Sequence, residues 1–164
     1  MQEQKNNLEF DNEDTLIQMR VQSVAYGLID SIITDDVPSP KNSLTSFDQV
    51  CIFESSALNV KYEDFKKSVM GVYKDVNPLE KSTWEEIEEP YDFNLKRSID
   101  SLNDETADIF LRISSLVRDG IITHDNTSKL NGLTALEQIL AYSLNIHNRK
   151  QIEEAKSKFS SFLL

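Results

Sequence analysis

Hydrophobic positions in the first third of the chain recur at the spacing of a helix. Ile17, Val21, Val24, Leu28 and Ile32 step by four, three, four and four, which predicts one apolar stripe. Leu16, Met19, Tyr26, Ile29 and Ile33 widen it, as expected of a central helix touched on several sides. Asp11 or Asn12 is placed to cap its start, with Glu13 and Asp14 in the first turn, where the helix dipole favours acids. Gly27 interrupts the stripe at a cost of about 1 kcal/mol against alanine; it reads either as a point of close helix approach or as a tolerated defect. Pro38 and Pro40, after Asp35 and Asp36, predict the stop, because proline lacks the amide donor and disfavours helix at the residue before it.

A linker to Ser46 follows, and Ser46 is placed to cap a helix carrying Phe47, Val50, Cys51 and Leu58. The run Val50 to Phe53 reads equally as a short strand, since periodicity does not separate the two. Tyr62, Phe65, Val69, Val72 and Tyr73 predict a short amphipathic helix ending near Asn77-Pro78. Residues 78–94 are the least helix-like part of the interior. There Ser82, with Glu85 three places on, forms a capping box for one or two turns holding Trp84 and Ile87, closed by Pro90.

The second half starts a helix near Ser101 or Asn103 that carries Ile109, Phe110, Ile113, Leu116 and Val117 and ends at Gly120. Ile121 and Ile122 are expected in the core. Thr123 is placed to cap a short helical turn up to Leu130, and Asn131-Gly132 is a turn dipeptide. Thr134 with Glu137 forms another capping box, ahead of Leu136, Ile139, Leu140 and Leu144. Asn148 is placed to cap a last helix carrying Ile152, Ala155, Phe159 and Phe162.

The pattern therefore predicts an all-α protein, a compact bundle of five to seven short helices with an acidic irregular connector around residues 78–94. A length of 164 residues suits one core. Residues 1–10 are expected to be a mobile acidic tail, and 11–164 a single helical domain with subregions 11–77 and 95–164.

Charge changes this picture. The chain carries a net −11, yet residues 95–164 hold nine basic and nine acidic side chains. The whole excess lies in residues 1–94, concentrated in Met1–Asp14 and Asp75–Asp92. Such a surface repels phosphate backbones and anionic lipid and attracts cationic partners; the plainer reading is solubility alone. The N-terminus lacks the cationic start and apolar core of a secretory signal, and apolar runs fall short of the roughly 20 residues needed to cross a bilayer. With a single cysteine, Cys51, no intrachain disulfide forms, and the expected location is the cytoplasm.

Several chemistries are excluded by spacing. Gly27, Gly71, Gly120 and Gly132 are too scattered for a phosphate-binding loop or a dinucleotide fingerprint. Cys51, His124 and His147 are too few and too far apart for a zinc site, and the residues three before the histidines, Ile121 and Leu144, are not the glutamates of a bundle di-iron site. A thiol dyad of Cys51 with either histidine is formally open, but the apolar neighbours Val50 and Ile52 favour an inert core thiol. No catalytic residue, metal or cofactor is expected.

Three features read as binding elements instead. Trp84, Glu85, Glu86, Ile87, Glu88 and Glu89 combine the only tryptophan with a run of acids; tryptophan is enriched at interface hot spots, whereas the alternative buries Trp84 in the core. Leu8 and Phe10 alternate with acids in the tail, as in segments that fold on a basic groove. Residues 116–132 resemble the helix-turn-helix of small winged-helix or other trihelical modules, but the candidate recognition segment His124–Lys129 holds only Lys129 as a firm cation. The expectation is a protein that binds a basic protein surface as an adaptor, regulator or inhibitor, without catalysis. The alternatives are an assembly component or chaperone of a larger particle, such as a virus or phage, and a trihelical nucleic-acid regulator; the frequent Asn, Ser, Ile and Lys fit an AT-rich genome, as in many viruses, phages and low-GC bacteria, and say nothing of function.

Overall fold

A computed structural model describes the backbone of residues 2–163 and the side chains of 14–163. The expected tail over residues 1–10, with Leu8 and Phe10, falls outside the residues whose side chains are described. The fold is all-helical. In chain order the elements are α1 (Gln2–Ile29), α2 (Ser46–Leu58), α3 (Tyr62–Lys74), a 3-10 turn (Pro78–Glu80), α4 (Trp84–Ile87), α5 (Phe93–Asp100), α6 (Asp104–Arg118), α7 (Ala135–Leu144) and α8 (Arg149–Leu163). These eight α-helices exceed the five to seven expected. The strand reading of Val50–Phe53 falls to helix α2, and α5 was not foreseen.

Helix α1 ends before the prolines, not at them. Ser31 takes a left-handed backbone (φ 61°), and Gly27 O then accepts from the amides of both Ile32 and Ile33 at 3.0 Å. The turn is thus a helix C-terminal motif built on a residue other than glycine. Gly27 is not a tolerated defect. A Cβ there would stand 2.5 Å from Ile33 Cδ1, so the chain doubles back over it.

Caps set the other starts. Thr45, not Ser46, opens α2: its hydroxyl accepts from Asp48 N at 3.1 Å, and Thr45 N donates to the Asp48 carboxylate at 3.1 Å. Asn103 caps α6 and Thr134 caps α7 as read from sequence. The α4 cap lies one residue later than predicted, with Thr83 N donating to Glu86 at 2.8 Å.

The main core gathers Val21 and Val24 of α1, Phe47, Val50 and Phe53 of α2, Phe65 and Val69 of α3, and Phe110, Leu140 and Phe159 of the second half. A smaller core joins Ile32, Trp84, Ile99, Leu133, Ile146 and Ile152. Tyr142 and Leu144 pack against both. Helix α1 lies on α2 and α3, α2 also on α6 and α7, and α8 on α5, α6 and α7.

The stretch between α6 and α7 is not the expected helical turn. Two of its amides are claimed by side chains from elsewhere. Thr123 N donates to buried Gln49 at 2.9 Å, and Lys129 N donates to Asp36 at 2.8 Å. Asn131 Nδ2 ties the end of the stretch to the carbonyls of Ser31 and Ile32 at 2.9 and 3.0 Å. The Asp36 bond takes the Lys129 amide that a helix would turn back on Asp125, in competition with the local pattern. Residues 124–129 therefore form an irregular loop with an isolated bridge between Thr127 and Thr134, which removes the recognition helix of a helix-turn-helix.

Candidate functional site

The acidic segment after the 3-10 turn holds the one-turn helix α4 between stretches without regular secondary structure, and forms a strap against α8. Trp84 anchors it from inside. The indole is fully buried among Ile32, Ile99, Leu133 and Ile152, so it offers no surface to a partner. Its Nε1 has no hydrogen-bond partner, and the Arg149 guanidinium lies 5.6 Å from the ring centroid. The aromatic body is held by packing, which is where most of its stabilising contribution arises.

The strap then runs along the start of α8 and is pinned there at Glu88, Glu89, Tyr91 and Asp92. Glu89 N donates to His147 O at 2.7 Å, and Asn148 Nδ2 donates to Glu89 O at 3.0 Å. Glu88 accepts from Arg149 N at 2.9 Å, satisfying a free amide of the first turn of α8. Gln151, itself buried, accepts from Asp92 N at 2.9 Å and donates to Asp92 O at 2.7 Å. Asp92 in turn caps α5 through Asn94 N and Leu95 N. The Tyr91 hydroxyl donates to the Glu154 carboxylate at 2.6 Å. Desolvation and this carboxylate raise the Tyr91 phenol above its ordinary value.

The surface this leaves is acidic and partly aromatic. Glu85, Glu86, Glu88 and Glu89 are exposed, and Ile87 is half-buried. Two of the four acids also hold the backbone: Glu86 closes the α4 cap and Glu88 the α8 start. Glu85 and Glu89 hold no backbone group through their carboxylates, and Glu89 lies 3.6 Å from His147 Nδ1, an ion pair when the imidazole is protonated. Beyond them Phe93 is 69% exposed, its ring tilted 57° against that of Tyr91 with centroids 4.9 Å apart. Periodicity missed this aromatic pair because no apolar stripe contains it; the only signal is two aromatics beside a proline in an acidic segment.

Other candidates lie elsewhere. Cys51 is fully buried in α2, and burial pushes its thiol far up, so it is inert. His124 is exposed in the α6–α7 loop and His147 half-buried before α8. No group of three or more metal-ligating side chains forms among the described residues. Glu54 (3% exposed side chain) ties α1 to α6 and α7, accepting from Arg20 Nε and from the Tyr142 hydroxyl at 3.1 Å, with Arg112 at 4.0 Å. These bonds make Glu54 a clamp between helices. No described helix is long and apolar enough to cross a membrane.

No protein-family model, curated protein or solved structure matches this chain.

Proposed function

We propose that this protein acts by binding a protein partner with a basic surface, as an adaptor, regulator or inhibitor without turnover, and that the strap from Glu85 to Phe93 is the contact. The reading rests on one observation: exposed carboxylates at Glu85 and Glu89 and an exposed Phe93 are carried on one segment whose backbone is bonded at Glu89 and Asp92 to residues at the start of α8. Preorganisation of this kind lowers the ordering cost of association. Aromatic anchors supply interface affinity, and surrounding charge supplies steering and specificity. Phe93 takes the anchor role that the sequence assigned to Trp84. A single unpaired cysteine suits a cytoplasmic, reducing setting.

The test is co-purification from the native host followed by mass spectrometry, repeated with Glu85→Lys/Glu89→Lys and across salt. A partner with a basic surface that is lost on charge reversal and weakened by salt is the expected result. A partner held equally by both forms at low and high salt overturns charge-led recognition.

A second reading, an assembly component, draws on α1, where Leu16, Met19 and Tyr26 are 51%, 60% and 62% exposed on neighbouring positions of one face. Light scattering decides it: a strict monomer at all concentrations removes the self-assembly form of this reading.

A further inference from the structure

We propose that the cavity between the C-terminal ends of α1 and α7 is a guanidinium site, filled by an arginine side chain of the partner. The guanidinium pairs with the Asp30 carboxylate and lies against the Tyr26 ring. Its source is the basic partner proposed above, so the identity of the occupant rests on that reading; the chemistry of the cavity does not.

The cavity has a volume of about 170 Å³, and Ser23, Tyr26, Asp30, Tyr142, Asn145 and His147 are among the residues that line it. At roughly 30 Å³ per water, that is room for a planar cationic head and part of its stem. Asp30 is the first residue after α1, and Asn145 the first after α7. Both helices therefore bring the negative end of their dipoles to the cavity. Neither carries a basic residue in its last turn, and no described lysine or arginine lines the cavity. A cation from outside complements both ends.

Asp30 supplies the opposite charge. It is half-buried, and no hydrogen bond to its carboxylate forms among the described residues. Burial raises the carboxyl above its ordinary value, and His147 alone opposes that shift. A partly desolvated carboxylate without a partner is stabilised when a cation meets it. Tyr26 is 62% exposed, and a cation within about 6 Å of a tyrosine ring is attracted to its face. A guanidinium answers both groups at once, because its fork matches a carboxylate and its plane stacks on an aromatic ring. Tyr142 contributes its ring, since its hydroxyl is committed to Arg20 and Glu54. A metal ion needs several converging ligands, and no group of three or more such side chains forms among the described residues.

The cavity borders the strap. His147, which lines it, accepts from Glu89 N at 2.7 Å and holds Nδ1 3.6 Å from the Glu89 carboxylate. A partner seated on the strap at Glu89 therefore reaches the cavity one residue further in.

The experiment titrates the full, isotope-labelled chain with ethylguanidinium by NMR, at about pH 8, where an ordinary imidazole is neutral. N-ethylurea is the uncharged control. Ethylguanidinium should saturate, shift the amides of Tyr26, Asp30 and His147 most, and bind about tenfold or more tighter than the urea. Asp30→Asn should abolish saturation and leave the melting temperature equal or higher, because burial opposes the charge. Tyr26→Ala should weaken binding about threefold to fivefold, and Tyr26→Phe should keep it. The partner recovered by co-purification should bind Asp30→Asn about tenfold more weakly, and ethylguanidinium should compete with it. Equal binding of the two probes, or saturation that survives Asp30→Asn, overturns the guanidinium site; partner loss on Glu85→Lys/Glu89→Lys would then still support the basic-partner reading. Saturable ethylguanidinium binding, with the partner indifferent to Asp30→Asn, overturns the partner's arginine as the occupant.

Discussion

Gly27 and Ile33 occupy one shared volume. Ile33 Cδ1 and Cγ1 lie 2.5 and 3.0 Å from where a Cβ on Gly27 would stand, while Ile33 N donates to Gly27 O at 3.0 Å. The reversal of the chain after α1 depends on this overlap, and it brings Ile32 and Ile33 into the two cores.

Gly27→Ala should therefore destabilise the protein by about 1–3 kcal/mol through overpacking, despite the roughly 1 kcal/mol that alanine contributes inside a helix. Ile33→Val removes Cδ1 and should cost about 1 kcal/mol alone. The double variant should cost less than the two together. Urea unfolding of all four proteins measures the coupling, and strict additivity would show that the clash is not what matters.

Trp84 gives a direct test of the smaller core. Trp84→Ala should cost about 3–5 kcal/mol and lower the melting temperature. Trp84→Phe should cost distinctly less, because the indole N–H that it deletes has no partner. As the only tryptophan, it should emit at short wavelength in the native state, resist acrylamide quenching and shift red on unfolding. Red emission from the native protein would place the ring in water.

Gln151→Ala should free the strap without emptying the core. Its side chain makes two bonds to Asp92, at 2.9 and 2.7 Å; losing both hands the exposed Asp92 backbone to water, at about 0.5–1.5 kcal/mol per bond. Amide hydrogen exchange should accelerate at Asp92 and Glu89 more than in α2 or α7. Uniform acceleration would mean that the residue supports the whole fold.

Acid stability should be governed in part by Asp48. Burial would raise its carboxyl, but Lys66, Thr45 N and the Tyr62 hydroxyl outweigh burial and hold it below the ordinary value. Asp36 is held low in the same way, against burial, by the Ser128 hydroxyl and Lys129 N. A carboxyl depressed in the folded state contributes its stability in full above the unfolded value, near about pH 4, and loses it as pH falls through the folded value. Asp48→Asn should therefore be less stable at neutral pH and show a shallower decline below about pH 4. Parallel pH–stability curves for the two proteins would refute the assignment. At the alkaline end, burial and Asp48 push the Tyr62 phenol up to about 12. Its contribution should be complete below about pH 10 and lost as pH rises through that higher value; Tyr62→Phe should flatten this limb.

Much of the architecture was legible in local pattern. The apolar steps of α3, α6 and α8, the Thr134–Glu137 box of α7 and the Asn103 and Asn148 caps all lie within a few residues of the chain, so the sequence carried them. The strap was legible as a band of acids with a capped turn holding Trp84 and Ile87. That Glu88 holds an α8 amide, and that the Glu89 backbone bonds His147 and Asn148, depends on residues some sixty positions later in the chain.

The sequence by itself determined an all-helical chain, its uneven charge and the lack of spacing for common cofactor loops, because periodicity, caps and composition are properties of neighbours. Tertiary structure alone decided that Trp84 faces inward, that Phe93 stands in solvent, and that residues 124–129 form a loop. Each of those outcomes was set by partners distant in sequence. Ile32 and Ile152 enclose the indole, Gln151 fixes the backbone between Tyr91 and Phe93, and Asp36 claims the Lys129 amide that a helix after Thr123 would have used.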